Sequence, residues 1–391
     1  MKRTLLAGVA ACMAFSALPV AAADSQDFDW WLDARARYEH SDQDNALDDA
    51  HASTVRARLG VSTPSFGGFT LMAEAEHISA LDDRYNSTTN GEAQYSVVVD
   101  PEDTELNRAT LTWRGARDTS VTIGRQRIVL DNARFIGNVG WRQNEQTFDA
   151  VMVRSQPAKD WNVQVGYIDK VRRIFGPDSP QGTLDLSAPI VRVAYSGFSL
   201  GTVVAYAHGL DYDDQPTASH RNIGVKLSGS REAGKWSIGY DAEFARQTDS
   251  EDAPDFSTSY HHLALTAGRN GWKVRIGQEV LGSDNGRAFQ TPLATGHAFN
   301  GWTDQFLGTP GEGLEDNYVR TFAKWGKTKA QLAMHWFSAD RGGADFGREL
   351  EAVITRPFGK RWSAGFKAAR YDANTRGVDT TKAWLFVQLR Y

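Results

Sequence analysis

The chain keeps nearly all of its hydrophobicity in alternation. Period-two patterns recur eighteen times, at 30–40, 54–62, 69–78, 105–114, 120–127, 147–154, 161–169, 189–195 and 198–208, then at 221–229, 235–245, 260–268, 272–281, 317–325, 329–337, 348–355, 362–371 and 381–391. Successive side chains of a strand point to opposite faces, so each segment offers one apolar and one polar face. In 235–245, Trp236, Ile238, Tyr240, Ala242 and Phe244 share one face, and Ser237, Gly239, Asp241 and Glu243 the other. Beyond the first residues no run approaches the roughly 20 apolar residues that cross a bilayer as a helix. Two architectures fit: a soluble β protein packed on its apolar faces, or a barrel with apolar faces toward lipid and polar faces toward a lumen.

The connections choose between them. Short Gly- and Asn-rich turns fall at Pro64–Gly68, Gly115–Asp118, Ser196–Gly197, Arg269–Gly271 and Gly326–Thr328, where positive φ is needed. Long polar segments fall between them, at 79–104, 128–146, 170–188, 209–220, 246–259 and 282–316. Short and long alternate, so an even-stranded barrel places every long segment on one side. The expected fold is all-β: a transmembrane antiparallel up-and-down β-barrel of 18 strands, one domain over residues 24–391. Trp113, Trp161, Trp272, Trp325 and Trp336 stand near strand ends, as interfacial girdles require.

Both ends of the chain carry an address. Lys2 and Arg3 precede an apolar run from Leu5 to Phe15 and then Ala21-Ala22-Ala23, the layout of a cleavable signal peptide over residues 1–23. Val9-Ala10-Ala11-Cys12 leaves a lipoprotein signal as the alternative. In the last strand Ala383, Leu385, Val387, Leu389 and Tyr391 form one apolar face. An aromatic closing residue on such a strand resembles the carboxy-terminal signal of bacterial outer-membrane barrels. The expected location is the outer membrane, among its lipid and lipopolysaccharide, with the last strand pairing with the first near Trp30–Tyr38.

Composition removes several function classes. Cys12 is the one cysteine and falls within the signal segment, which excludes disulfides, thiolate catalysis and cysteine-held metals from the barrel. The formal charge of −5 becomes −7 without Lys2 and Arg3, against nucleic acid as a partner. The His261-His262 pair and the scattered His208, His220, His297 and His335 have no Gly-x-Ser-x-Gly or His-Glu-x-x-His context. The sequence therefore reads as no enzyme, with no metal site, and as needing no cofactor.

The polar faces show what a lumen would hold. With Leu32, Ala34, Ala36 and Tyr38 outward, Arg35 and Arg37 point inward; the same logic sends Arg56, Arg58, Arg108 and Arg192 inward, with Glu74 and Glu76 among them. A guanidinium offers a planar donor fork that matches a carboxylate and stays charged, so an arginine ladder suits anionic solutes. The alternative is that the ladder braces the wall by pairing with acids.

One segment is distinctive beyond this pattern. It reads Gly124-Arg125-Gln126-Arg127, Arg134-Phe135-Ile136-Gly137, Trp141-Arg142 and Phe148-Asp149-Ala150. These elements, and the opening Asp33-Ala34-Arg35-Ala36-Arg37-Tyr38-Glu39, resemble the alginate-export family of outer-membrane proteins. The resemblance implies an eighteen-stranded barrel that passes an anionic uronate polysaccharide to the exterior through an arginine-lined pore. Arg125, Arg134, Arg142 and Asp149 fall on its motif positions, periplasmic export components are the implied partners, and the segment 79–104 is an outer lid. An uptake porin for small carboxylates or oligosaccharides on the same fold is the alternative. Arg125 shares the register of apolar Val121 and Ile123, so its inward placement requires a bulge at Gly124.

Overall fold

The computed structural model describes residues 27–115 and 118–391. The expected signal peptide lies outside the described residues, as do Ala116 and Arg117 of one expected turn. Among the described residues twenty strands form, in chain order: β1 Asp29–Gln43, β2 Ala50–Ser62, β3 Phe69–Asp82, β4 Asp103–Arg114, β5 Ser120–Gln126, β6 Thr147–Ser155, β7 Trp161–Arg172, β8 Thr183–Phe198, β9 Gly201–Tyr212 and β10 His220–Ala233. They continue with β11 Trp236–Asp249, β12 Ser257–Arg269, β13 Trp272–Leu281, β14 Ser283–Asp284, β15 Arg287–Ala288, β16 Leu314–Trp325, β17 Thr328–Ser338, β18 Asp345–Phe358, β19 Trp362–Ala373 and β20 Thr380–Arg390. The two-residue β14 and β15 pair with each other inside a loop, and the other eighteen make one sheet.

Each barrel strand pairs antiparallel with its neighbours, and β20 pairs with β1 from Arg390↔Asp33 to Thr380↔Gln43. That seam closes the sheet and leaves no edge, which a spanning sheet needs because lipid offers its backbone no partners. Leu32 N donates to Tyr391 O at 3.0 Å, and Tyr391 N returns a bond to Leu32 O at 2.8 Å. The expected closure between first and last strand is observed.

The face assignment follows the alternation. Leu265 and Ile276, 64% and 61% exposed, belong to an outward apolar belt continued by Leu59, Leu71, Leu332 and Leu385. Trp30, Trp113, Trp161, Trp272, Trp325 and Trp362 are exposed outward at the short-turn end, where amphipathic rings sit at the lipid–water boundary. On a water-soluble protein so much exposed apolar surface would aggregate; facing lipid it is solvated.

One expected turn and three expected loops shift. The turn read at Ser196–Gly197 is instead Ser199-Leu200, because β8 runs on to Phe198, which pairs with Gly201. Gly201 has a φ of +131°, and a Cβ there would lie 2.2 Å from the Ser228 carbonyl oxygen, so this glycine makes the turn. The segments 170–188, 209–220 and 246–259 are strand at their ends, leaving shorter loops 173–182, 213–219 and 250–256. Three long loops remain, at 83–102, 127–146 and 282–313, and they occupy the barrel.

Candidate functional site

The inner faces of β1 to β4 build a charged wall. Arg35, Arg37 and Glu39 come from β1, Arg56 and Arg58 from β2, and Glu74 and Glu76 from β3, all buried although they face the lumen. In β4 the register shifts opposite Glu74 and Ala75, making Asn107 an extra residue. This bulge turns both Asn107 and Arg108 inward: Asn107 Nδ2 donates to Glu74 at 2.8 Å, and Arg108 meets the same carboxylate through Nε and Nη2 at 2.8 and 2.6 Å. Arg56 pairs with Asp33 at 2.5 Å, Arg58 with Glu76, and Arg37 with Asp100 of loop 83–102 and with Glu39 at 3.3 Å.

The ladder is covered because loop 127–146 lies on it. Arg35 donates to Gln143 Oε1 at 2.9 Å and to the carbonyl of Arg142 at 2.5 Å, and Arg37 to the carbonyl of Trp141 at 2.6 Å. Arg58 adds a bond to the Gln143 carbonyl at 3.1 Å and faces Glu145 at 3.4 Å. In return Arg142 reaches Glu39 at 3.0 Å and Asp304 at 3.3 Å. Glu145 also pairs with Arg127; burial raises its carboxyl, but Arg127 and Arg58 outweigh burial and hold it well below the usual carboxylate range. Val139 sits at φ 49°, costly for a β-branched residue. Its N–H donates to Thr295 Oγ1 at 3.1 Å, one of the contacts that hold the loop in this shape.

Loop 282–313 docks from the opposite wall. Gly137 N donates to Leu293 O at 2.9 Å, so the two loops touch by backbone. Arg134 meets Glu279 of β13 at 2.8 Å and Asn300 at 3.0 Å, and Asn300 donates to Glu279 at 2.7 Å and Asp316 at 3.1 Å. Glu349 of β18 accepts from Thr303 N at 3.0 Å and Thr303 Oγ1 at 2.6 Å, as well as from Trp302 N. Where the loops meet, Lys367 of β19 stands 4.4, 3.8 and 4.8 Å from the ring centres of Trp141, Trp302 and Trp384.

His297 completes this cluster, stacked on Trp141 with centroids 5.3 Å apart. It contacts Asp304 through Nδ1 at 2.7 Å and Lys367 Nζ through Nε2. Lys367 can only donate, so Nε2 accepts, Nδ1 carries the hydrogen, and the ring is neutral. Burial holds the imidazole down to about 4 against the pull of Asp304. Asp304 lies far below the usual range: burial raises it, but His297, Lys382 and Arg142 prevail.

The short-turn half of the lumen is wetter. Arg154, Asn162, Gln164, Arg192, Asp241 and Arg275 face inward there with partial exposure. Arg192 meets Asp131 at 2.6 Å, and Arg275 meets Asp241 at 2.7 Å. A cleft beside Arg192 is lined by Asp131, Phe135, Tyr206, His208 and Glu243.

Eight of the ten arginine and aspartate positions expected at a pore thus face the lumen: Arg35, Arg37, Arg56, Arg58, Arg108, Arg134, Arg142 and Arg192. Arg125 and Asp149 do not. They are register partners on the face shared with exposed Ile123 and Val151. They bind each other at 2.9 Å, with Arg172 3.4 Å from Asp149. Gly124 has a φ of +111°, yet the pairing on both sides of β5 runs without a shift, so the expected bulge does not form. The sequence reading also missed Lys367, Trp302, Trp384 and His297. A tryptophan and a phenylalanine at 384 and 386, on the polar register of the last strand, were the available signal.

No protein-family model and no curated protein matches the sequence. Solved structures match in fold. OccAB4 of Acinetobacter baumannii aligns with a TM-score of 0.76 at 14% identity, covering 93% of this chain and 98% of that one. OpdK of Pseudomonas aeruginosa, in a structure with vanillate, gives 0.75 at 15% over 93% and 98%. OccK5 (OpdH) of the same species gives 0.71 at 16% over 95% and 100%. These likenesses show the barrel fold and do not single out the alginate-export family. Together with the outward apolar belt, the fold places the chain in the bacterial outer membrane.

Proposed function

We propose that the protein is a passive channel for small organic carboxylates, taken up across the outer membrane. The observation that carries this reading is the packed lumen: loops 127–146 and 282–313 bury Arg35, Arg37, Arg56 and Arg58 at mid-height. A polymer thread would need that space. A small anion needs only a path past partly exposed arginines, and Arg192, held by Asp131 and Asn162, places a guanidinium charge beside the aromatic surface of Phe135 and Tyr206. One structure of this fold was solved with vanillate, an aromatic carboxylate, and a guanidinium beside aromatic rings suits that chemistry. Without a nucleotide supply, transport runs down the gradient.

Flux into vesicles reconstituted with the protein tests this. Vanillate is expected to enter faster than vanillyl alcohol, its neutral counterpart, while uronate oligomers neither enter nor block. Equal entry of acid and alcohol removes the anion preference, and block by uronate oligomers at concentrations where vanillate still flows restores the polysaccharide reading.

A further inference from the structure

The outer rim carries a cluster for which the channel has no use. His40 of β1 and His51 of β2 are register partners on the outward face that bears Tyr38. Their rings lie 4.9 Å apart at 29°. Asp49, at the end of the turn 44–49, is exposed beside them, and one ligand atom from each of the three lies within 4.8 Å of the others. Both rings are anchored through Nδ1. His40 Nδ1 is 3.2 Å from the Ala50 carbonyl, a contact that places the hydrogen on Nδ1 and leaves Nε2 with its lone pair. His51 Nδ1 is 2.8 Å from the Tyr38 hydroxyl. An imidazole oriented by one nitrogen and open at the other is the arrangement of metal-bound histidines.

We propose that His40, His51 and Asp49 form a binding site for a divalent transition-metal cation of the zinc class. Two imidazoles and one carboxylate are the donors zinc takes, with a fourth position left to water. Calcium and magnesium prefer all-oxygen shells. Bonds of about 2.0–2.1 Å place neighbouring tetrahedral ligand atoms roughly 3.3 Å apart. The cluster therefore closes by rotation of side chains that are half-buried or exposed. Bound metal would fix more than the turn. Asp48 N donates to Gln94 O, and Ser96 N to Asp48 O, each at 2.8 Å. The turn is thereby tied to loop 83–102, which delivers Asp100 to Arg37.

Equilibrium dialysis of untagged full-length protein in detergent against zinc chloride tests the site. One equivalent is expected to bind. His40→Gln and His51→Gln should each weaken binding by more than about tenfold, and Asp49→Asn should weaken it in the same direction. His77→Gln should bind as the parent does, because His77 is an outward histidine whose ring is held by Thr104 and Ser79. Should the variants fail to fold, the parent protein still decides: zinc should shield His40 and His51, but not His77, from diethyl pyrocarbonate, and cobalt should give the visible ligand-field absorption of an imidazole-bound ion. Absence of a stoichiometric equivalent, failure of zinc to shield His40 and His51, or undiminished binding in His40→Gln and His51→Gln overturns the proposal.

Discussion

Arg142 donates through Nη1 to both carboxylate oxygens of Glu39, at 3.2 and 3.0 Å, and both side chains are buried. The pair joins a long loop to the first strand of the barrel. Around it Arg35 and Arg37 hold the loop backbone, so the groups that would attract an anion to an open pore instead anchor the element that narrows it.

Removing one partner of this pair should loosen the loop. Glu39→Ala leaves the Arg142 guanidinium buried without its main counter-charge, a change that costs about 3–5 kcal/mol. The barrel should persist, because the backbone pairing of β1 is untouched. Expected are faster cleavage within 127–146 by added protease and a larger, noisier single-channel conductance. Unchanged proteolysis would show that the pair does not hold the loop.

Acidification should loosen the same region. The His297 imidazole sits at about 4 in the folded state, below its ordinary value near 6.5. A group depressed on folding contributes stability that is complete above the unfolded value and is lost as pH falls toward the folded one. The window is therefore roughly pH 6.5 down to 4. A proton on Nε2 would also oppose Lys367. Protease sensitivity of loop 282–313 is expected to rise across this window in the parent and to stay flat in His297→Gln.

Gly124 makes a sharper structural test. A Cβ there would stand 2.3 Å from the Ala109 carbonyl oxygen, at a φ of +111°. Gly124→Ala should destabilise the barrel by at least about 1–3 kcal/mol. Gly67→Ala, where φ is +58° but the space is open, should cost less. Urea unfolding in lipid vesicles, followed by tryptophan fluorescence, orders the two.

Inward and outward arginines should behave differently. Arg192→Gln removes the lumenal guanidinium beside Phe135 and should lower vanillate flux by about tenfold or more, the worth of one charge-assisted hydrogen bond. Arg125→Gln, on the outward register, should leave flux unchanged. A comparable loss in both would refute the face assignment of Arg125.

Much of this was readable before any fold. The alternation at Leu32, Ala34, Ala36 and Tyr38 sent Arg35 and Arg37 inward, and they are inward. Motif position misled at Arg125 and Asp149, where simple parity with Ile123 and Val151 was the better guide. Bulges are the other weak point. Asn107 and Arg108 share the lumen because of an extra residue that periodicity does not reveal.

Alternation is local, so the sequence by itself determined the barrel: each strand had to bury its backbone polar groups against neighbours and turn its apolar face to lipid. Only the tertiary structure decided what fills that barrel. Arg35 meets Gln143 across 108 positions, and Arg134 meets Asn300 across 166. Such pairs leave no periodic trace, because a loop entering a lumen is held by isolated charges and carbonyls rather than by a repeated pattern. The arginines were legible as a ladder, and the loops that cover them were not.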